Sequence, residues 1–378
     1  MTSICMIITG LSIGGAETML LKLLQTLDRD RFAPEVISLT NLGEVGPRIE
    51  ALGIPVHALG MDRGKLNLKG FWTLIGHLRR SRPDVVHTWM YHADLLGGLA
   101  ARMAGIRALA WGIHQSNLAP EFNKTSTLMV VKASALASRY LPRKIISCSD
   151  RAMRVHVTEG YCFSKMVLVP NGFDLTRFVP DSAARASVRS EMGLSSDAPL
   201  VGVVARDDPQ KNHLGFVEAA AAVHRVIPWC HFILAGTGID KDNASLNRAI
   251  EQVGLRDNMH LLGRRDDVPR LMASLDVLAS PSHGEAFPSV LGEAMACAVP
   301  CVATDVGDSA AIVGHTGRVV PAGQMDELAR QLVALLEMPE QYRQALGVKA
   351  RERIQEHYEL RSITQRYEEI YSQLQIER

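Results

Sequence analysis

Aromatic residues are scarce in this chain of 378 residues, at 5%. That leaves too few rings for a row of base-stacking platforms. No Lys/Arg-rich run and no nucleic-acid motif stands beside them, so a nucleic-acid partner is not expected. The six cysteines (Cys5, Cys148, Cys162, Cys230, Cys297, Cys301) include no C-x-x-C pair. This excludes a disulfide framework or a cysteine zinc site and predicts reduced, mostly buried thiols. The start lacks a basic leader, and Ile4 to Leu11 is too short to span a bilayer, which takes about 18 or more apolar residues. The expected location is cytoplasmic, free or peripherally attached at the inner face of a membrane. The dinucleotide fingerprint G-x-G-x-x-G is missing, which counts against an oxidoreductase. No D-x-D motif closes a strand, since Asp240-Lys241-Asp242 lies in a polar stretch, so neither a metal nor another cofactor is expected.

What is present is ordinary in bulk and uneven in distribution. Apolar residues make up 47% and charged residues 21%, and the length suits two domains. The net charge of +1 hides an asymmetry: residues 1–170 carry 20 Lys+Arg against 12 Asp+Glu, and the remainder 21 against 28. A basic first half suggests an anionic partner, either a phosphorylated acceptor or an anionic membrane surface.

Apolar runs of strand type alternate with stretches of helical spacing. Strands are expected at 4–8, 35–39, 56–59 and 84–87, and helices at 16–27, 45–51, 71–80 and on through Met103. The pattern restarts after Pro170-Asn171-Gly172, with strands at 200–205, 231–235, 276–278 and 299–303 and a helix at 213–226. This predicts an α/β chain of two Rossmann-like domains, 1–170 and 171–357, each a parallel sheet with helices on both faces. A ligand cleft would lie between them at the carboxyl ends of the strands. A last helical stretch, Glu352 to Leu374, has no strand after it.

Four segments could carry chemistry. Gly14-Gly15-Ala16-Glu17 follows the first strand and opens a helix, where backbone N–H groups can receive a phosphate; a tight turn would look the same. Arg206-Asp207-Asp208-Pro209-Gln210-Lys211 puts two cations after the first strand of the second half, suited to a diphosphate whose charge grows as a bond to it breaks. Glu285-Ala286-Phe287-Pro288-Ser289-Val290-Leu291-Gly292-Glu293 places one carboxylate in a loop and a second on the following helix, among apolar neighbours where an unpaired charge is costly. Glu285 could accept hydrogen bonds from sugar hydroxyls and Glu293 those of a ribose. Finally, Trp111-Gly112-Ile113-His114-Gln115 and His87-Thr88-Trp89-Met90-Tyr91-His92 follow strands of the first half. His114 could contact a transferred sugar or be structural. His87, Tyr91 and His92 could hold an acceptor or pack a loop.

Taken in order, these segments resemble glycosyltransferase family 4, a retaining group with the GT-B fold, over nearly the whole chain. The likeness also takes in Val169 to Asp174 with Phe178, Gly236-Thr237-Gly238, Leu262-Gly263-Arg264 and Val302 to Gly307. The wording of Gly10 to Glu17 and His87 to Asp94 resembles bacterial members that build O-antigen and other surface polysaccharides. The resemblance implies that Arg206 and Lys211 hold the diphosphate of a nucleotide-sugar, and that Glu285 binds the transferred sugar and Glu293 the ribose. It further implies that Gly14 and Gly15 approach the diphosphate, that the base lies near Arg264, and that Ala286 to Val290 complete the donor site. The catalytic His would be His114, or its place would fall at Gln115. The last helix, about 358–378, would cross back to the first domain. UDP is the first choice of carrier and GDP the second, with a saccharide or lipid-linked saccharide as acceptor. A nucleotide-sugar epimerase and a non-catalytic scaffold are the rival readings. The chain departs from the family by having Ala at 286 and 298, where Gly is usual. Residues 126–144, apolar with Lys132, Arg139, Arg143 and Lys144, could form a basic amphipathic helix for a membrane surface, or an ordinary domain helix.

Overall fold

The apolar runs become parallel strands, because a strand buried on both faces needs no polar alternation. The computed structural model describes residues 1–62 and 67–376. The chain forms two compact units, Met1–Gly172 with Leu360–Arg378, and Phe173–Glu359.

In the first unit the strands are β1 (Thr2–Ile8), β2 (Phe32–Ser38), β3 (Val56–Ala58), β4 (Val85–Trp89), β5 (Leu109–Ile113), β6 (Lys144–Ser147) and β7 (Met166–Leu168). Their order in the sheet is β3-β2-β1-β4-β5-β6-β7, parallel throughout. Along β1, Ile4, Met6 and Ile8 enter one apolar core while Cys5 and Ile7 enter the other. The helix Gly15–Thr26 closes the first core with Met19, Leu20, Leu23 and Leu24.

The second unit holds β8 (Leu200–Val204), β9 (His231–Ala235), β10 (Met259–Leu261), β11 (Val277–Ser280), β12 (Cys301–Thr304) and β13 (Arg318–Val320). Their order is β10-β9-β8-β11-β12-β13, again all parallel. In both sheets the order reverses beside the first strand, between β1 and β4 and between β8 and β11. The loops that leave these strands diverge to opposite faces there and open a crevice at the carboxyl edge.

The C-terminal stretch differs from the single helix expected. It is two helices, Glu340–Tyr358 and Leu360–Ile376, interrupted at Glu359, whose ψ of 131° is extended. The cause is tertiary: Phe173 N donates to Tyr358 O at 2.8 Å and Phe173 bridges to Glu359. The second helix belongs to the first unit and buries Leu360, Ile363, Tyr367, Ile370, Tyr371 and Leu374 in its core. Positions 377–378 lie outside the described residues. The segment 126–144 is helical over only part of its length. Its helix stops at Ala137, and Val131 and Ala135 pack inward while Met129 and Leu136 are exposed. The exposed Met129, Lys132, Ala133 and Leu136 fall on one side of the helix, and Val131 and Ala135 on the other. No helix among the described residues is long and apolar enough to cross a membrane.

Candidate functional site

The second unit collects charged groups at the carboxyl edge of its sheet, next to the β8/β11 reversal. After β8 the chain makes a short turn, Pro209–Lys211, capped by Asp208, whose carboxylate accepts from Gln210 N at 2.9 Å. Asn212 then adopts a left-handed conformation (φ 55°) and caps the helix His213–Val226 through Gly215 N. Asn tolerates this region better than most residues. The turn presents Lys211 toward the loop that leaves β11, where its Nζ meets Glu285 Oε1 at 2.5 Å. Ser282 Oγ donates to the same carboxylate oxygen at 2.9 Å. The side chains of Lys211 and Glu285 are 22% and 11% exposed, so the pair is mostly withdrawn from water but still reachable.

The two loops are fastened together. His283 N donates to Gln210 O at 2.7 Å, and Asn212 Nδ2 to Pro281 O at 3.2 Å. From the β12 side, Thr304 Oγ1 donates to Ser282 O at 2.6 Å and Asp308 N to Ala286 O at 3.1 Å. Gly307 has φ 54°, and a side chain there would lie 2.5 Å from the carbonyl oxygens of Glu285 and Ala286. Only glycine allows that approach. Lys211 and Glu285 are therefore held on short, cross-braced loops, a precondition for electrostatic work without reorganisation.

Arg206, at the end of β8, points a largely exposed side chain at Asp208, with Nη2 and Nε 2.8 and 3.2 Å from one carboxylate oxygen. Phe287 stacks on Phe173 at 6.0 Å, and Pro288 opens the helix Ser289–Ala296, with Ser289 and Val290 in its first turn. Glu293 is half-buried one turn into that helix, and Gly292 gives way to the Phe173 ring, which a side chain would strike at 2.1 Å. Arg264 is exposed in the loop after β10. That loop is joined to the one after β9 by Gly236 N to Gly263 O at 2.8 Å. The expected donor-side residues of this unit thus share one edge. Ala286 is not among the positive-φ residues, so its methyl causes no backbone strain, whereas Ala298 has φ 59°.

In the first unit Gly14 caps the helix Gly15–Thr26, with the Glu17 carboxylate folded over it, and Gly15 is exposed. The expected acceptor residues fare differently. His87 is fully buried in β4, its Nδ1 2.8 Å from the Tyr371 hydroxyl, and burial lowers its pKa to about 3. Tyr91 is buried with its hydroxyl 2.8 Å from His156 Nε2. Both are core residues, so an acceptor contact at either is corrected; His92 stays half-buried on the following helix. His114 stacks flat on Trp89, with centroids 4.6 Å apart and planes 7° apart. Burial lowers its pKa to about 4, and its buried Nε2 has no hydrogen-bond partner. The Gln115 amide is taken up by Asn117 O and Asn123 Oδ1. Sequence reasoning missed Met90, which ends β4 at φ 72° and ψ 155°, a strained conformation at the first unit's sheet reversal. It also assigned no role to Ser282 or to Asn212.

Among the described residues one trio of metal-ligating side chains converges, Glu35, His57 and His77, whose atoms lie within 4.8 Å of one another. None of the expected donor residues belongs to it.

Residues 13–177 match the family described as Glycosyltransferase Family 4, and residues 198–338 that described as Glycosyl transferases group 1. The chain is 26% identical over 273 residues to the Escherichia coli UDP-Gal:alpha-D-GlcNAc-diphosphoundecaprenol alpha-1,3-galactosyltransferase, covering 71% of this chain and 70% of that one. It is 26% identical over 314 residues to the putative glycosyltransferase EpsF of Bacillus subtilis, covering 79% and 78%. Crystal structures of Anabaena HepE, in complex with UDP and with UDP and glucose, superpose with a TM-score of 0.86 at 24% identity, covering 99% of this chain and all of that one.

Proposed function

This chain belongs to glycosyltransferase family 4 and has the GT-B fold, and on that footing we propose that it moves a hexose-type sugar from UDP to a saccharide or lipid-linked saccharide acceptor with retention of configuration. The observation that carries the reading is the braced Lys211–Glu285 pair at the β8/β11 reversal, a cation and a carboxylate side by side. UDP as carrier and a lipid-linked acceptor draw support from what the Escherichia coli relative acts on, and a place in surface-polysaccharide assembly is the expectation from the sequence; GDP is the second choice.

In this reading the second unit holds the donor and the first unit the acceptor. The bond between the sugar's C1 and the diphosphate oxygen breaks, and its electron pair stays on the diphosphate. The acceptor oxygen bonds to C1 from the same face and passes its proton to the leaving phosphate. Lys211 and Arg206 stabilise the growing negative charge, in place of a metal. Arg206 must exchange Asp208 for phosphate, an inexpensive swap for an exposed pair. Glu285 accepts hydrogen bonds from sugar hydroxyls, and Glu293 from the ribose. His114, kept neutral by burial and stacked on Trp89, takes the catalytic histidine's place on the strength of the resemblance alone.

The test is a thermal-shift series with UDP, GDP, ADP and CMP in EDTA, followed by turnover of UDP-hexoses. A ligand at about 100 times its Kd stabilises by about 2.7 kcal/mol. A selective rise with UDP, and sugar transfer in EDTA, is the expected result. A rise with none of the four ends the nucleotide-sugar reading. Donor consumption with no need of an acceptor points to an epimerase, and activity restored only by Mg²⁺ or Mn²⁺ removes the metal-free mechanism.

A further inference from the structure

The first unit carries the chain's excess of positive charge, and the structure shows where some of it gathers. All seven strands of its sheet are parallel, so their starts share one edge, opposite the carboxyl edge that holds Gly14 and Met90. Along this amino edge, Arg82 stands ahead of β4, Arg107 ahead of β5, Arg143 and Lys144 at the start of β6, and Lys165 ahead of β7. Midway lies a pocket of about 510 Å³ lined by Arg102, Gly105, Arg107 and Arg143, with no Asp or Glu among the residues that line it.

The pocket is built from fixed parts. Arg102 belongs to the last turn of the helix Tyr91–Met103, and its Nη2 donates to Tyr140 O at 2.9 Å. Arg143 N donates to Leu109 O at 2.8 Å, which holds its backbone to the β5 edge. Gly105 turns the chain between them at φ 88°. Lys165 tightens the far wall by donating to the carbonyls of Ser138, Arg139 and Pro142. Burial, then the neighbouring Arg107 and Arg143, lowers the pKa of Arg102. The Arg102 guanidinium feels the positive charge of Arg107 and Arg143, and an anion bound beside it reverses the sign of that interaction. Guanidinium groups also offer forked donors that match phosphate oxygens in pairs. The volume exceeds what a bare phosphate fills, and exposed Leu99, Met103 and Tyr140 offer apolar surface nearby.

We propose that the Arg102/Arg107/Arg143 pocket is a binding site for a phosphate monoester or diphosphate carrying an organic group, separate from the nucleotide-sugar site. The phosphate could be free in solution or belong to a lipid, and the test separates these sources.

Pyrophosphate and glycerol 3-phosphate are titrated by calorimetry into an Arg206→Ala/Lys211→Ala chain, which silences the donor diphosphate site. In parallel, the wild-type chain is floated with phosphatidylcholine vesicles with and without phosphatidic acid. Arg107→Glu, and Arg107→Gln as a milder variant, are introduced in each background. Arg107 is exposed in a loop, so both variants should keep the parent's melting temperature. Soluble ligand bound and weakened about tenfold or more by Arg107→Glu establishes the site with a free source, that factor being the loss of one charge-assisted contact. Flotation that requires phosphatidic acid and fails in Arg107→Glu establishes it with a lipid source. The proposal is overturned if neither form binds, or if binding is the same in the Arg107 variants.

Discussion

Replacing Lys211 by Ala removes one half of the pair at the centre of the proposed site, and the geometry of that pair sets the size of the loss. At about 4 Å between charge centres and an effective dielectric of about 20, the attraction between Lys211 and Glu285 is about 4 kcal/mol. Desolvation of both groups and the ordering of the lysine chain, about 1.5–2 kcal/mol, offset much of it. A double-mutant cycle with Glu285→Gln, read by urea unfolding, should therefore return a coupling of about 1–3 kcal/mol. In catalysis the lysine faces the departing diphosphate, so Lys211→Ala should lower kcat/KM about 100-fold or more, as loss of an oxyanion donor does. The assay is initial-rate release of UDP from the accepted donor at fixed acceptor, for wild type, both single variants and the double. The kinetic losses should not add, because Glu285→Gln already removes the carboxylate that positions the ammonium. Lys211→Ala activity within a few-fold of wild type would refute the assignment. Additive kinetics together with no stability coupling would show that the 2.5 Å contact does not position the site.

Ala298→Gly should stabilise the second unit by about 0.5–1 kcal/mol and raise its Tm by about 1–4 °C, since left-handed backbone costs an L-residue about 1–2 kcal/mol and glycine returns part of that as unfolded-state entropy. No rise in calorimetry would show that the strain is absorbed elsewhere. Asp276→Ala should cost about 3–5 kcal/mol in urea unfolding, because it strands the buried Arg189 guanidinium, 2.7 Å from the Asp276 carboxylate, and frees Leu200 N. Stability should also fall with pH below about 6.5, the ordinary value for an unfolded histidine, down to the folded values of about 4 for His114 and His156 and about 3 for His87. All three are lowered by burial, so in that window the unfolded chain binds protons the folded chain refuses, at up to about 1.4 kcal/mol per pH unit for each histidine; denaturant midpoints that stay level from pH 7.5 to pH 5 would contradict it.

The legible parts of the molecule were those decided locally. A parallel strand buried on both faces is an apolar run, and a helix that follows it starts at a cap, so β1, β8, β9 and the helix His213–Val226 stood out within two residues. Of the four three-residue edge strands, β3 was legible but β7, β10 and β13 were not, because pairing with a neighbour, and not their own composition, makes those three strands. The break at Glu359 was hidden for the same reason: its cause, Phe173, lies far away in sequence. The site divides along the same line. Arg206, Lys211 and Glu285 could be read because strongly charged groups in short loops after buried strands have few places to go except the carboxyl edge of the sheet. That Lys211 and Glu285 meet could not be read, since 74 residues separate them. His87 stayed open because a polar residue in an apolar strand is equally consistent with a site or with a buried partner, and its partner, Tyr371, is 284 residues away. Met90 left no trace at all, because strain is a property of φ and ψ and not of residue type. The first unit's carboxyl edge therefore has to be sought through its backbone: the strained Met90 and the exposed Gly15 flank its sheet reversal, while the side chains that looked most like recognition groups, His87 and Tyr91, hold the core together.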